Sequence, residues 1–170
     1  YIDIVEELEF YSLLKKLDIK KEFIRENIEE DVEYEIVKDL KNINIASNYS
    51  IYLETLGYNY HKDTPIGIGI YDGAKSYYIP FTVLKENPNF LESDISKYTY
   101  DLKKLIVVLN RYGIKINNLQ DDLMIAGYLL NQNVKDDIAY LMNNKGCKVD
   151  FYLDSFGNPN KLRMPEEDKY

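Results

Sequence analysis

Tyr49-Ser50-Ile51-Tyr52-Leu53-Glu54-Thr55 and Ile66-Gly67-Ile68-Gly69-Ile70 are the two runs on which the fold turns. Both alternate with a period of two, the signature of a strand whose successive side chains point to opposite faces. In the second run one face is isoleucine and the other is bare. The bare face predicts close packing of a helix or another backbone against the glycines. Asp72-Gly73 then supplies a hairpin turn, and residues 76–80 pair back. Three such strands in succession predict an antiparallel meander.

Beyond the meander the periodicity becomes helical. Leu102, Leu105, Ile106 and Leu109 form an i, i+3, i+4, i+7 face, which predicts a helix over 102–112 closed by Gly113. Residues 97–100 before it and 114–119 after it read as a fourth and a fifth strand. Asp122 is placed to cap a helix with Leu123, Ala126 and Leu130 on one face. Val134, Ile138, Leu141 and Met142 predict one more helix, ended by Gly146. Residues 81–84 open a short helix that Pro88 interrupts. A meander followed by strands alternating with helices is the pattern of a mixed-sheet α/β layer protein, and a ribonuclease-H-like sheet has this order.

Upstream, Ile4, Leu8, Tyr11 and Leu14 give the first seventeen residues a helical face. Residues 20–31 are charge-rich and read as a helix end or linker. Residues 34–37 suggest a short strand and 38–43 a short helix. Residues 147–170 hold Gly157, Pro159 and Pro165 with little periodicity and are expected to be a loop or flexible tail. The domain expectation is therefore 1–31 as helix and linker, 32–146 as the folded domain, and 147–170 as tail.

Composition narrows the chemistry. The 170 residues suit one domain with a sizeable core. A net charge of −8 argues against a surface built mainly to hold phosphates. Cys147 is the only cysteine and His61 the only histidine, so neither a disulfide, a thiolate cluster nor a histidine-based zinc site can be assembled. Any metal would need carboxylates, which favour Mg²⁺ or Mn²⁺. No apolar run reaches membrane-spanning length, and the acidic opening lacks the order of a signal peptide. The expectation is a monomeric, cytoplasmic piece of a longer polypeptide.

Glu54 is the most informative acidic residue. Two-metal phosphodiester hydrolysis needs several carboxylates around two cations. An Asp-x-Glu pair on a strand serves because residues two apart share a face. Here Tyr52 and Glu54 hold those positions, and a phenol is a poor Mg²⁺ ligand. Glu54 alone reads first as an ordinary strand-end carboxylate and only second as a ligand. Asp101, at the start of the 102–112 helix, is a candidate ligand or simply a cap. Asp121-Asp122 reads as a cap, and Lys103, Lys104 and Arg111 as a solvated basic face. No tyrosine in the sequence is followed four positions on by aspartate. The seventeen tyrosines read as core and strand residues rather than a stacking platform.

These residues carry a resemblance. Asn59-Tyr60-His61-Lys62-Asp63-Thr64-Pro65-Ile66-Gly67-Ile68-Gly69-Ile70 resembles the strand pair after the first exonuclease motif of family A bacterial DNA polymerases, the DNA polymerase I family. Tyr100-Asp101-Leu102-Lys103-Lys104 resembles the second motif. Asp122-Leu123-Met124-Ile125-Ala126-Gly127-Tyr128-Leu129-Leu130-Asn131 resembles the helix that follows and is the most specific match. Residues 152–165 resemble the loop before the third motif, and residues 8–17 the helix joining a 5′-nuclease domain to this one.

The resemblance implies a ribonuclease-H-like domain that, in proofreading members, removes mispaired 3′ nucleotides with two metal ions. Of the four metal carboxylates, Glu54 and Asp101 match. Tyr52 departs, the third motif is absent, and Lys97 stands where the family often has Asn. The match is nearest to low-GC Gram-positive polymerases, whose domain is vestigial and non-proofreading. The expectation is a degenerate, inactive 3′–5′ exonuclease domain with a structural role, without a metal or other cofactor of its own. Its parent polymerase would use Mg²⁺, bind DNA, supply the neighbouring domains and work in the cytoplasm at the nucleoid. The alternatives are an active exonuclease with other ligands, for example Asp63 or Asp121, and an unrelated protein-interaction module.

Overall fold

Alternating sequence becomes alternating burial. In a computed structural model, which describes residues 33–45, 47–132 and 134–165, the strand β2 (Tyr49–Leu56) buries Tyr49, Ile51, Leu53 and Thr55 and leaves its even-numbered residues half-covered or exposed. β3 (Thr64–Tyr71) and β4 (Ser76–Pro80) continue the meander as expected. The connecting turn forms because Asp72 Oδ1 accepts from the N–H groups of Ala74 and Lys75 at 2.9 and 2.8 Å, with Gly73 at φ +93°.

The sheet has six strands, one more than the five expected. β1 (Tyr34–Ile36) runs parallel to β4 at one edge. On the other side β5 (Lys97–Thr99) and β6 (Leu119–Asp122) follow β2 in parallel, giving the order β1-β4-β3-β2-β5-β6. A parallel neighbour needs a crossover, and the helix α2 (Leu102–Asn110) supplies it between β5 and β6. α1 (Phe81–Glu86) follows β4 directly.

The fifth strand was expected over 114–119 and lies instead at β6. Asn118 adopts φ +55° and interrupts the extended chain, while Ile114 is fully buried as a core residue. The alternation there reflects burial, not pairing. One core holds the molecule together. Ile51, Leu53, Ile68, Ile70 and Ile79 are at most 3 % exposed and join Leu84, Leu105, Val108 and Leu109 in one cluster. Each such side chain contributes about 1.5–3 kcal/mol on burial.

α3 (Leu123–Leu129) and α4 (Ala139–Asn144) complete the expected helices. The stretch expected to be loop or tail contains a helix, α5 (Tyr152–Phe156), and a small ribbon, β7 (Gly157–Asn158) with β8 (Lys161–Leu162). Periodicity missed it because the helix is barely more than one turn. The expected first helix and the linker to residue 31 lie outside the described residues. Among the described residues no helix is long and apolar enough to cross a membrane.

Candidate functional site

The face of the sheet opposite the core carries the candidate residues. In register, Tyr52 of β2 lies across from Gly69 of β3, which lies across from Tyr78 of β4. Glu54 lies across from Gly67. Among the described residues no helix packs on these glycines, contrary to expectation. The Tyr78 ring covers Gly67, where a Cβ would come within 2.6 Å of it, and nothing among the described residues lies within 4 Å of a Cβ on Gly69. The bare Gly69 position opens onto a groove of about 540 Å³ lined by Tyr52, Gly69, Tyr78, Tyr98, Tyr100 and Leu123, among others.

Tyr52 faces this groove as a neutral phenol. Burial, and then the nearby charges of Glu54 and Asp137, push its pKa well above the ordinary tyrosine value. Glu54 sits at an irregularity in the β2–β3 register, between Glu54 and Thr55. Its Oε1 accepts from the Thr55 N–H at 3.0 Å, turning the carboxylate back on its own strand. Burial raises its pKa; the Lys104 ammonium and the Thr55 bond oppose that, and Asp137 adds to it.

Asp101 and Asp122 are tied together. Asp101 adopts φ +59°, costly for a residue with a Cβ. Asp122 holds it there, with Oδ1 accepting from Asp101 N–H at 3.0 Å and Oδ2 from Leu102 N–H at 2.8 Å. The same Asp122 Oδ1 caps α3 through Met124 N–H at 2.8 Å. Asp101 in turn caps α2 by accepting from Lys104 N–H at 3.0 Å. The capping role read for both residues is what the structure displays.

Lys104 was missed as a site residue. It was read with Lys103 and Arg111 as one solvated face, and the three diverge. Lys104 Nζ lies 3.8 Å from Glu54 Oε1 and 5.7 Å from the Tyr52 ring centre. Lys103 lies over Tyr60. Arg111 donates to the carbonyls of Tyr60 and Asp63, both at 2.9 Å. The available signal was spacing: Lys104 is three residues past Asp101, hence on the same side of the first helical turn. Asp137 was also missed. It accepts from Ala139 and Tyr152 N–H groups at 3.0 and 2.8 Å, and its charge reaches both Tyr52 and Glu54.

Other candidates lie apart. Lys97 is fully buried on the core face, where its ammonium donates to the carbonyls of Ser93 and Ile95 at 2.7 and 2.8 Å. Asp63 accepts from Asn59 N–H in the β2–β3 connection, and Asp121 is exposed on β6 across from Tyr98.

Among the described residues this donor set does not fit a pair of divalent cations. One position is a neutral phenol. Asp101, Asp122 and Asp137 are each bonded to main-chain N–H groups, and an ammonium already faces Glu54. Among the described residues no three Asp, Glu, His or Cys side chains are grouped so that they could hold an ion.

Residues 51–170 match the family model described as DNA polymerase I, ribonuclease H-like domain. DNA polymerase I of Bacillus subtilis (strain 168) is 28 % identical over 98 % of this chain, and that of Lactococcus lactis subsp. cremoris (strain MG1363) 29 % over 96 %. The chain spans only 20 % and 18 % of those relatives' lengths. Among solved structures, the catalytic core of RRP6 from Trypanosoma brucei superposes with a TM-score of 0.57 at 13 % identity, over 82 % of this chain and 41 % of that one. At that identity the likeness is one of fold.

Proposed function

The chain belongs to the family of DNA polymerase I ribonuclease H-like domains, and on that footing we propose that it is a degenerate 3′–5′ exonuclease domain that no longer removes nucleotides and serves its parent polymerase as a rigid structural module. The parent would be the DNA-synthesising, Mg²⁺-using enzyme, would hold the DNA, and would work in the cytoplasm. Family membership disposes of the unrelated interaction module.

The observation that carries this reading is the Tyr52 phenol on the Glu54 face of β2. Metal-assisted hydrolysis depends on carboxylates that neutralise two cations and orient the attacking water. Removing one well-placed electrostatic element from a catalytic site already costs about 100- to 1,000-fold. Here one such element is a phenol, and the acids that remain are bonded to the protein's own N–H groups or face an ammonium. Rigidity has its own support. Asp122 fixes two helix starts at once, and Tyr152 on α5 bonds to both Thr55 and Gly57 at the end of β2.

No observation favours Asp63 or Asp121 as substitute ligands, since the first is bonded in a turn and the second is exposed on an edge strand. The direct test is incubation of the purified chain with 5′-labelled single-stranded DNA and Mn²⁺. The strand is expected to stay full-length. Progressive 3′ shortening that disappears in Glu54→Gln would overturn the reading.

A further inference from the structure

We propose that the Lys104 ammonium is the resident cation of the Glu54 site, a tethered charge standing where a divalent ion would have to enter, so that Tyr52 is only half of what bars metal. This rests on the inactivity reading above and deepens it.

Three placements converge. Tyr52 and Glu54 share one face of β2, and Asp101 and Lys104 come from the first turn of α2. The Asp101 carboxylate bonds the Lys104 main-chain N–H at 3.0 Å, so the residue that would be a ligand also fixes the backbone from which the lysine reaches in. The ammonium ends 3.8 Å from Glu54 Oε1 and 5.7 Å from the Tyr52 ring centre. The first distance is too long for a hydrogen bond. The second lies within the range where a cation is drawn to an aromatic face. The ammonium therefore lies near both side chains, a counter-ion to Glu54.

Burial makes the placement count. Lys104 and Glu54 are 18 % and 24 % exposed. An exposed ion pair would be worth little and would yield to any competing cation. With most of both side chains out of water, a divalent ion approaching Glu54 meets a like charge it cannot screen away. Restoring the acid at position 52 would leave that charge in place. The commonsense repair, Tyr52→Asp, is thus expected to make a better partner for Lys104 before it makes a metal site.

The test is Mn²⁺ binding, by isothermal titration and by loss of the free-ion electron-spin signal. The proteins are the 170-residue chain, Tyr52→Asp, and Tyr52→Asp with Lys104→Met. Methionine keeps an apolar stem over the ring. The double variant is expected to bind at least about 10-fold more tightly than Tyr52→Asp, and to lose that binding when Glu54→Gln is added. Affinities for Tyr52→Asp and the double variant within about threefold of each other overturn the inference and leave the inactivity reading standing. Tight binding by the unaltered chain also overturns the inference, whereas the inactivity reading falls only if that chain shortens labelled DNA from its 3′ end.

Circular dichroism checks folding. Should the double variant not fold, ¹³C-dimethylated lysine resonances of the otherwise native chain replace it. Glu54→Gln is expected to move the Lys104 signal, and an unmoved signal overturns the inference.

Discussion

Replacing Tyr152 with phenylalanine removes one oxygen atom and tests whether α5 is part of the fold. That hydroxyl donates to the Thr55 carbonyl at 2.7 Å and accepts from the Gly57 N–H at 2.8 Å, joining residues nearly a hundred positions apart. The ring makes separate contacts, stacked on Phe156 at 4.4 Å and edge-on to Tyr58 at 5.2 Å. Phenylalanine keeps those contacts, so the loss is confined to the two bonds. A net hydrogen bond is worth about 0.5–1.5 kcal/mol, and a buried group left unpaired costs about 1–3 kcal/mol. Thr55 is 1 % exposed, so its carbonyl is poorly placed to recruit water. The expected destabilisation is about 2–3 kcal/mol.

Urea unfolding followed by circular dichroism measures it, with an unchanged slope confirming that the unfolded state is the same. Tyr152→Ala, which also removes the ring, is expected to cost about 3–5 kcal/mol. A Tyr152→Phe protein within about 0.5 kcal/mol of the parent, the range of an ordinary surface change, would refute the reasoning. It would mean that α5 only rests against the end of β2.

Three further perturbations test the sheet and the helix starts around the site. Gly67→Ala would drive a methyl into the Tyr78 ring, whereas Gly69→Ala points into open space; thermal melts should show the first costing about 1–3 kcal/mol and the second near neutral. Asp122→Ala removes the acceptor for three N–H groups at the starts of α2 and α3 and releases Asp101 from its left-handed conformation. A loss of about 2–4 kcal/mol in a urea titration is expected, above the usual single-cap value. Alkali should destabilise the chain. Burial pushes Tyr49 up to about 12 from 10.0, so its contribution is intact below pH 10 and is lost as pH rises toward 12. Tyr49 is 3 % exposed, and two pH units correspond to about 3 kcal/mol. Urea midpoints followed by circular dichroism should hold below pH 10 and fall as pH rises toward 12.

What could be read from sequence was local. The Ile-Gly alternation of 66–70, the Asp72-Gly73 turn, the 102–112 periodicity and the caps at Asp101 and Asp122 each depend on neighbours within a few residues, and each has its counterpart in the fold. The 122–131 run carried the resemblance to the family. Through-space facts were out of reach. Nothing local to 34–36 announces a parallel partner in β4. Nothing in 114–119 distinguishes a pairing strand from a buried one, because the deciding event is a single left-handed turn at Asn118. Tyr152 had no visible reason to be more than one tyrosine among seventeen. At the site, Tyr52, Glu54 and Asp101 were legible because a strand and a helix start fix their faces. Lys104 was not, since a lysine on an amphipathic helix points to solvent unless a carboxylate on another element meets it, and that meeting is tertiary.

The central claim is that no divalent pair can lodge beside Tyr52. Crystals soaked in manganese and measured at its absorption edge address it most directly. No anomalous peak is expected among Tyr52, Glu54 and Asp101, with ordered density for the Lys104 side chain reaching Glu54. Two strong peaks there, roughly 4 Å apart as in a two-metal site, with Lys104 displaced, would contradict it.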